Sequence, residues 1–471
     1  MAGSVAASPT YALTPSASKS TMPNNYLTSA EFTWLQQYLP DTYEKEFERY
    51  GNRSITAFLR MVGAELPTNS DLIKWEEQGR LHTKDTGVTL ATYVGNEDTQ
   101  TLTFTANHNL RVGQTIVISD ETAGSTLSNK AIVTDAAPGA VLTDATVAYY
   151  EASQAAFAAA STMTVFVYGS EFNKGASGMT GSLEADPNIF QNKPIIIKDK
   201  YTVAGSDMAQ IGWVEVTSEN GASGYLWYIK SEHETRLRFD DYLEMAMIEG
   251  VPAVAGSGVA ALADSGQLGN QGTDGMFYTI ENNGNVYSGG IPSALADFDA
   301  VIQRLDKQGA IQENVLFVNR QMGFDIDDML AAQNSYGAGG TSYGLFDNDE
   351  EMALNLGFTG FKRGYDFYKS DWKYLNDATL RGGLTGGAVN GVLVPAGSTN
   401  VYDQVLGKNA HRPFLHVRYR ASETEDRRYK TWITGSAGGA ATSDLDAMEV
   451  NFLSERALCT MGANNFFIFK Q

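Results

Sequence analysis

The sequence predicts an α+β chain built from several folded parts. Three observations predict it: β-branched runs at short spacing over residues 86–170, one unbroken helical pattern from Tyr225 to Glu249, and alternating helix and strand patterns over 291–425. At roughly 150 residues per domain, 471 residues make about three folded units, with ample material for cores.

Residues 1–30 are mostly Ala, Ser, Thr and Pro with almost no charge. Alone, such a segment buries too little apolar surface to offset its ordering entropy, so it reads as an extended arm held by a neighbouring copy. Met1 at the start argues against loss of an N-terminal piece, and residues 1–23 lack the basic and apolar regions of a secretory signal. From Ser29 to His82 the pattern reads as mostly helical. Phe32, Leu35 and Leu39 share a face, Asp41 with Glu44 fits a capping box, and Ile55, Phe58, Leu59 and Val62 form a second stripe.

At Thr86 the pattern changes. Val88–Tyr93, Leu102–Thr105, Thr115–Ser119, Ala131–Thr134 and Thr162–Tyr168 read as strands between Gly, Asn and Asp turns, interrupted by Ala-rich Glu151–Ala160. The span 86–170 is therefore expected to be a compact β-rich insert. Residues 169–224 read as a long hairpin, with Ile195–Val203 and Met208–Thr217 joined by the turn Ala204-Gly205-Ser206-Asp207. Val203 and Met208 are apolar tip residues. On a projecting hairpin they suit contact with another chain, whereas a hairpin folded back would bury them in its own domain.

The helix Tyr225–Glu249 follows a Gly221-Ala222-Ser223-Gly224 breaker and stops at Gly250-Val251-Pro252. Leu226, Ile229, His233 and Leu237 fall on one side. Glu232–Arg236, Glu234–Arg238 and Arg236–Asp240 are spaced as i,i+4 ion pairs. After a Gly-rich stretch, Ile291–Gln308 reads as a helix, Val315–Asn319 as a buried strand and Arg320–Ala332 as a helix. Glu350–Leu356, Gly357–Arg363 and Tyr365–Lys369 continue an α/β domain over 291–425. Tyr429–Ile433, Ala447–Phe452 and Asn465–Phe469 return to strands.

The 34 Lys and Arg against 55 Asp and Glu leave a formal charge of −21, which disfavours a protein that grips nucleic acid across its whole surface. Charged residues make up 19%, below the usual value of about 25%, while 47 Gly and 23 Tyr fit a loop- and strand-rich chain that buries surface against partners. The lone Cys459 excludes an internal disulfide and a Cys-based zinc cluster. No apolar run approaches the roughly 18 residues of a membrane span, so a soluble chain is expected.

Catalytic motifs are missing. Gly407-Lys408-Asn409 lacks both the hydroxyl and the upstream Gly of a phosphate loop. Gly175-Ala176-Ser177-Gly178 and Gly221-Ala222-Ser223-Gly224 miss the spacing of a nucleophile elbow. Among His82, His108, His233, His411 and His416, only the last two are close, and five apart is wrong for a helical metal pair. The run Asp347-Asn348-Asp349-Glu350-Glu351 has Met352 where a calcium loop needs Gly. It reads as a solvated helix start, and Asp325, Asp327 and Asp328 read likewise as solvated. No catalytic, cofactor-binding or metal-binding residue is assigned, and no enzyme is expected.

One basic region contrasts with the acidic chain: Lys408, Arg412, Arg418, Arg420, Arg427, Arg428 and Lys430. A strand over 416–420 would place His416, Arg418 and Arg420 on one face. Three readings stay open for this region: ion pairs with a neighbouring subunit, contact with packaged DNA, or ordinary pairs within the chain.

The order of parts resembles the HK97-fold major capsid protein of tailed bacteriophages. The resemblance spans about 170–471 and rests on Asn188-Ile189-Phe190-Gln191 entering the hairpin, the helix Tyr225–Glu249, and Asn319-Arg320 after a strand. The segment Val450-Asn451-Phe452-Leu453-Ser454-Glu455 is similar to capsid proteins of crAss-like and related marine phages. The resemblance implies an N-terminal arm (1–30), a helical segment (31–85), an insertion domain (86–170) and an extended hairpin, the E-loop (171–223). It further implies a peripheral domain with a spine helix (224–290 and 426–471) and an axial domain (291–425).

The implied role is structural. The chain would self-assemble as hexamers and pentamers into an icosahedral shell that encloses double-stranded DNA without sequence-specific binding. Portal and auxiliary or decoration proteins would be partners, with no membrane and no cofactor. The place would be the virion, assembled in the host cytoplasm. Val203, Met208, Arg412, Arg418, Arg420, Arg427 and Arg428 are the candidate inter-subunit contacts. Lys193, Lys198 and Lys200 lie where some capsids of this fold cross-link, but no acceptor or carboxylate is marked, so no cross-link is expected. The alternatives are a cellular shell protein, such as an encapsulin or surface-layer protein, and an enzyme with a site on 291–425.

Overall fold

The computed structural model describes Phe58 and residues 64–470, apart from 83, 92–97, 152–156, 158–160, 184–186, 210–215, 218–222, 225–226, 265–269, 293, 310, 335–358, 404–407 and 438–440. The arm expected over 1–30, most of the helical stretch to residue 63 and the helix expected at Glu350–Leu356 lie outside the described residues. The chain divides into two units, Trp75–Phe190 and a larger one formed by Met1–Lys74 with Gln191–Gln471.

The smaller unit is a closed six-stranded barrel. Its strands run in the spatial order Lys84–Leu90, Thr99–Thr103, Asp144–Tyr149, Ser128–Asp135, Gln114–Asp120 and Met163–Ser170, the last closing on the first. Every neighbouring pair is antiparallel. Successive side chains of a strand point to opposite faces, so a barrel takes every second residue inside. Ile116 and Ile118, Ala131 and Val133, Ala145 and Val147, and Met163 and Val165 fill the interior in this way. Five of these strands overlap the runs the sequence marks. Asp144–Tyr149 does not, because its inward residues include a small Ala145 and the alternation is weak.

The larger unit holds two sheets. One has the order Ala64–Thr68, Leu415–Arg420, Ala447–Thr460 and Ile195–Ala204, with Lys430–Gly435 also paired to Ala447–Thr460. The other has six strands in the order Asn285–Tyr287, Phe467–Lys470, Val389–Pro395, Glu313–Val318, Tyr365–Asp371 and Gly360–Arg363. It is mixed: Glu313–Val318 runs parallel to Tyr365–Asp371 and antiparallel to Val389–Pro395. Two strands belong elsewhere than their place in the sequence predicts. Leu415–Arg420 leaves the 291–425 segment for the first sheet, and the final strand Phe467–Lys470 enters the six-stranded sheet.

That sheet is buried on both faces, which explains its near-continuous apolar strands. Phe317, Val392, Val394 and Ile468 face one core with Met247, Met276, Phe277, Ile280, Leu415, Val417 and Leu458. Their alternates Leu316, Val318, Leu393, Phe467 and Phe469 face the helices Leu295–Gln308 and Arg320–Asn334 through Phe298, Val301, Leu305, Met322 and Ile326. The first of these helices starts four residues later than its apolar pattern, because Ile291 precedes Pro292 and is pushed out of the helical region. The second is capped by Asn319, whose side-chain oxygen accepts from the Met322 amide at 2.8 Å.

The long helix is Trp227–Glu249, 23 residues and so about 34 Å. Its buried line includes Thr235, Phe239, Leu243 and Met247, each four residues from the next, while His233 and Leu237, on the side the sequence groups together, are half-buried. Phe239 and Leu243 pack on Val203, Met448, Val450 and Phe452, while Met247 and Ile248 enter the central core. One helix thus joins two cores. It ends where Gly250 and Gly275 meet: the Gly275 amide donates to the Gly250 carbonyl at 2.9 Å, and a Cβ on Gly275 would lie 2.5 Å from the Gly250 nitrogen.

Two expected elements are corrected. Residues 64–82 are not helical; they form the strands Ala64–Thr68 and Ile73–Glu77. Pro67 opposes a helix there and is tolerated because Ala64–Thr68 is an edge strand. The turn expected at 204–207 is a helical turn, Gly205–Met208, and Ile195–Ala204 pairs with Ala447–Arg456 along its whole length.

Phe58 is part of the central core. It is 1% exposed, stacks on Trp372 at 4.4 Å and meets Phe317 edge-on at 4.7 Å. Its amide donates to the buried Glu244 at 3.1 Å. Phe58→Ala is expected to cost about 3–5 kcal/mol in urea denaturation, as for a large aromatic side chain removed from a core. A loss below about 1 kcal/mol would show that this contact holds nothing.

Candidate functional site

The described residues converge on the strand Ala447–Thr460. Along one edge it pairs with Ile195–Ala204 through residues 447–456. Along the other it pairs with Lys430–Gly435 through 448–453, then with Leu415–Arg420 through 456–460. The basic region predicted from sequence surrounds this strand, and carboxylates of the same chain take up much of it. Glu455 holds Arg427 at 2.6 Å and stands 4.0 Å from Arg420, which also pairs with Asp71. Glu65 pairs with Arg428 and, at 3.4 Å, with Arg456.

Arg456 is nearly buried, so its guanidinium needs every available partner. It donates to Ser454 Oγ at 2.9 Å and to the Arg428 carbonyl at 3.0 Å. Lys430 pairs with Glu425 at 2.5 Å. The exposed pairs contribute about 0–1 kcal/mol each. Removing Glu65 would cost more, because it leaves the buried Arg456 without its carboxylate. Arg412 is buried and Arg418 half-buried.

The face expected to carry His416, Arg418 and Arg420 therefore grades from buried to half-buried. His416 is 2% exposed and its Nδ1–H donates to the Pro413 carbonyl at 3.1 Å. Burial, reinforced by Arg412 and Arg418, pushes its pKa down to about 4. Directly across the sheet lies Cys459, whose thiol burial pushes up to about 12. Both groups are neutral near pH 7, and a protonated thiol is a poor nucleophile. Their juxtaposition is packing.

Val203 and Met208 lie at the end of Ile195–Ala204 and in the turn after it. Val203 is 3% exposed within the core of Phe239, Leu243, Met448, Val450 and Phe452, and Met208 packs against that core half-buried. Of the two sequence readings, the structure takes the one in which this strand lies on its own domain. Lys200 on the same strand pairs with Glu449 at 3.0 Å, a contact that holds the Glu449 carboxyl below its usual range.

Sequence reasoning missed Asn192. It is almost fully buried and satisfies its whole hydrogen-bonding capacity. Its amide nitrogen donates to the Asp274 and Leu458 carbonyls at 2.9 and 2.7 Å. Its oxygen accepts from the Lys193 amide at 2.7 Å, and from the Thr273 hydroxyl and Asp274 amide at 2.9 Å each. It ties the start of Ile195–Ala204 to the loop after the long helix and to the long strand. No local signal marks it, since its partners lie far along the chain.

That loop and the short helix after it carry a second unmarked feature. Residues 250–263 contain no charged side chain, and Val251 and Val254 are 60% and 57% exposed. Elsewhere, His108 sits in the barrel with Nε2 2.9 Å from the Asp144 carbonyl and Nδ1 accepting from the Leu110 amide. Asp325 accepts from Gln321, and Asp327 pairs with Lys369. The run 347–351 lies outside the described residues. Among the described residues no group of three or more His, Cys, Asp and Glu is gathered as a metal site, and no helix is long and apolar enough to cross a membrane.

No protein-family model matches the chain, and no curated protein matches it. Similar solved structures include one from Microbacterium phage Oxtober96, 11% identical over 92% of this chain and 96% of that one, with a TM-score of 0.39. One from Mycobacterium phage Ogopogo is 11% identical over 94% of this chain and 99% of that one, with a TM-score of 0.36. The capsid of a native GTA particle is 9% identical over 94% of this chain and 97% of that one, with a TM-score of 0.37.

The buried His416 makes a pH prediction. Its folded pKa lies below the unfolded value of about 6.5, so the unfolded chain binds the extra proton and stability falls as pH drops from 6.5 towards about 4. The loss should approach about 3 kcal/mol at pH 4. In His416→Gln this component vanishes while carboxylate contributions remain. Equal pH slopes for the two proteins in urea denaturation would show that His416 does not set this dependence.

Proposed function

We propose that this chain is the major structural subunit of an HK97-like phage capsid, assembling as hexamers and pentamers into a closed shell around double-stranded DNA. The observation that carries the reading is the arrangement of the larger unit. A long helix lies against an approaching strand and a returning C-terminal strand, followed in sequence by an α/β part with a six-stranded sheet. The sequence resemblance implies these parts in this order. The closing 450–455 segment, similar to crAss-like and marine phage proteins, lies in the strand that joins them.

In this reading the mechanism is self-assembly. A stable shell comes from surface shared between many copies, not from a few strong pairs. Most of the basic region is paired within the chain, which leaves the uncharged 250–263 segment and the N-terminal 57 residues as the material for contacts between copies. An overall charge of −21 keeps DNA from being captured at the wall, because phosphate binding strengthens with each added cation. The subunit acts without catalysis or cofactor, alongside portal and decoration proteins, and resides in the virion after assembly in the host cytoplasm.

The test is electron microscopy with light scattering on the purified full-length chain. Closed particles, or uniform rings of five and six, are the expected result. Deleting residues 1–28 should leave a folded subunit with reduced assembly. A chain that stays monomeric across concentration and in the presence of crowding polymer contradicts the proposal.

A further inference from the structure

We propose that the outer wall of the Trp75–Phe190 barrel is a binding face for a neutral polysaccharide. The inference does not rest on the shell reading. In Met163–Ser170 the residues Met163 and Val165 fill the barrel, so Phe166 and Tyr168 must point outward. Outward positions on a barrel in water are ordinarily polar. Here Phe166 and Tyr168 are 43% and 50% exposed, and Tyr150 beside them is 47% exposed.

Polar groups of both signs surround these rings. Phe166 lies between Lys84 and Val117 on the adjoining strands, and Val117 faces Lys130 on the next. The Lys130 ammonium stands 6.0 Å from the Tyr168 ring centre. The Tyr150 amide donates to the Lys130 carbonyl at 3.2 Å, and the Tyr150 hydroxyl donates to Glu171 at 2.5 Å. Glu121, which accepts from the Gly87 amide at 3.0 Å and the Thr164 hydroxyl at 2.8 Å, offsets Lys84.

Exposed aromatic rings with few rotatable bonds give large contact area at small entropy cost. A hexopyranose offers them an apolar C–H face, and its hydroxyl rim meets the donors and acceptors of Lys130, Tyr150 and Glu171. Charge decides between this partner and single-stranded nucleic acid, which also stacks on aromatic rings. Lys84 and Lys130 are balanced by Glu121 and Glu171, so the face lacks the excess of cations that a polyanion requires. An uncharged sugar chain fits both the rings and the zero balance.

The test is native affinity electrophoresis of the full-length chain in gels containing dextran, glycogen, a β-1,3-glucan or a galactomannan. At least one is expected to retard the wild-type chain and the Leu142→Ala control, whose side chain is exposed elsewhere on the unit. The Phe166→Ala/Tyr168→Ala double variant should bind about tenfold more weakly, while Tyr168→Phe, which keeps the ring, should retain most of the retardation. Hydrogen exchange of the wild-type chain should slow over 163–170 in the retarding polysaccharide, a readout that needs no variant. Retardation by none of the four, equal retardation of the double variant, or no protection at 163–170 overturns the proposal. Binding of an oligo-dT that the double variant loses would assign the face to nucleic acid instead and overturns it equally.

Discussion

The pairing of Ala447–Thr460 with three other strands constrains the rest of the larger unit. This strand meets residues 195–204, 415–419 and 430–435, so its backbone hydrogen bonds close loops of tens to hundreds of residues. Closing such loops costs entropy that the ladder alone does not offset. The offset comes from burial: Met448, Val450 and Phe452 meet the long helix, while Leu458 meets the central core. Phe239 and Met247, two turns apart on the helix, hold those two cores to one rod. Asn192 adds a polar tie among the same elements, fully satisfied and therefore costly to disturb.

The same strand decides how the charges are used. Glu455 and Arg456 are neighbours on it, and each meets the opposite charge from a distant segment, Arg427 and Glu65. A buried guanidinium without partners would be expensive, so this strand positions the carboxylates as much as it buries apolar surface. The arginine-rich segment stands out against the acidic chain in sequence, but much of it is internal stitching. Arg420, Arg427, Arg428 and Lys430 all meet carboxylates of their own chain.

How much was legible depended on the range of the interaction. Five barrel strands were readable because their inward residues alternate locally with exposed ones, and the long helix was readable because Gly250 and Pro252 end it. The turn at 204–207 was misread because Ala204-Gly205 suits a helical turn as well as a hairpin turn, and the partner strand that Ile195–Ala204 does show lies some 250 residues away. The helix was found but its buried face was not. Leu237 is as apolar as Leu243, and only the strand beneath chooses between them. The basic cluster was found, yet its carboxylates Glu65 and Asp71 come from more than 300 residues upstream. Asn192 carried no signal at all, since its partners are mostly backbone groups.

Amide hydrogen exchange resolved by residue tests most directly the claim that Ala447–Thr460 ties the larger unit together. Amides of this strand that face a partner should be among the slowest in the larger unit and should exchange only with its global unfolding. The edge strands Asn285–Tyr287 and Gly360–Arg363 should exchange faster. Exchange of Ala447–Thr460 at the rate of those edges, or well below the free energy of global unfolding, would contradict the account.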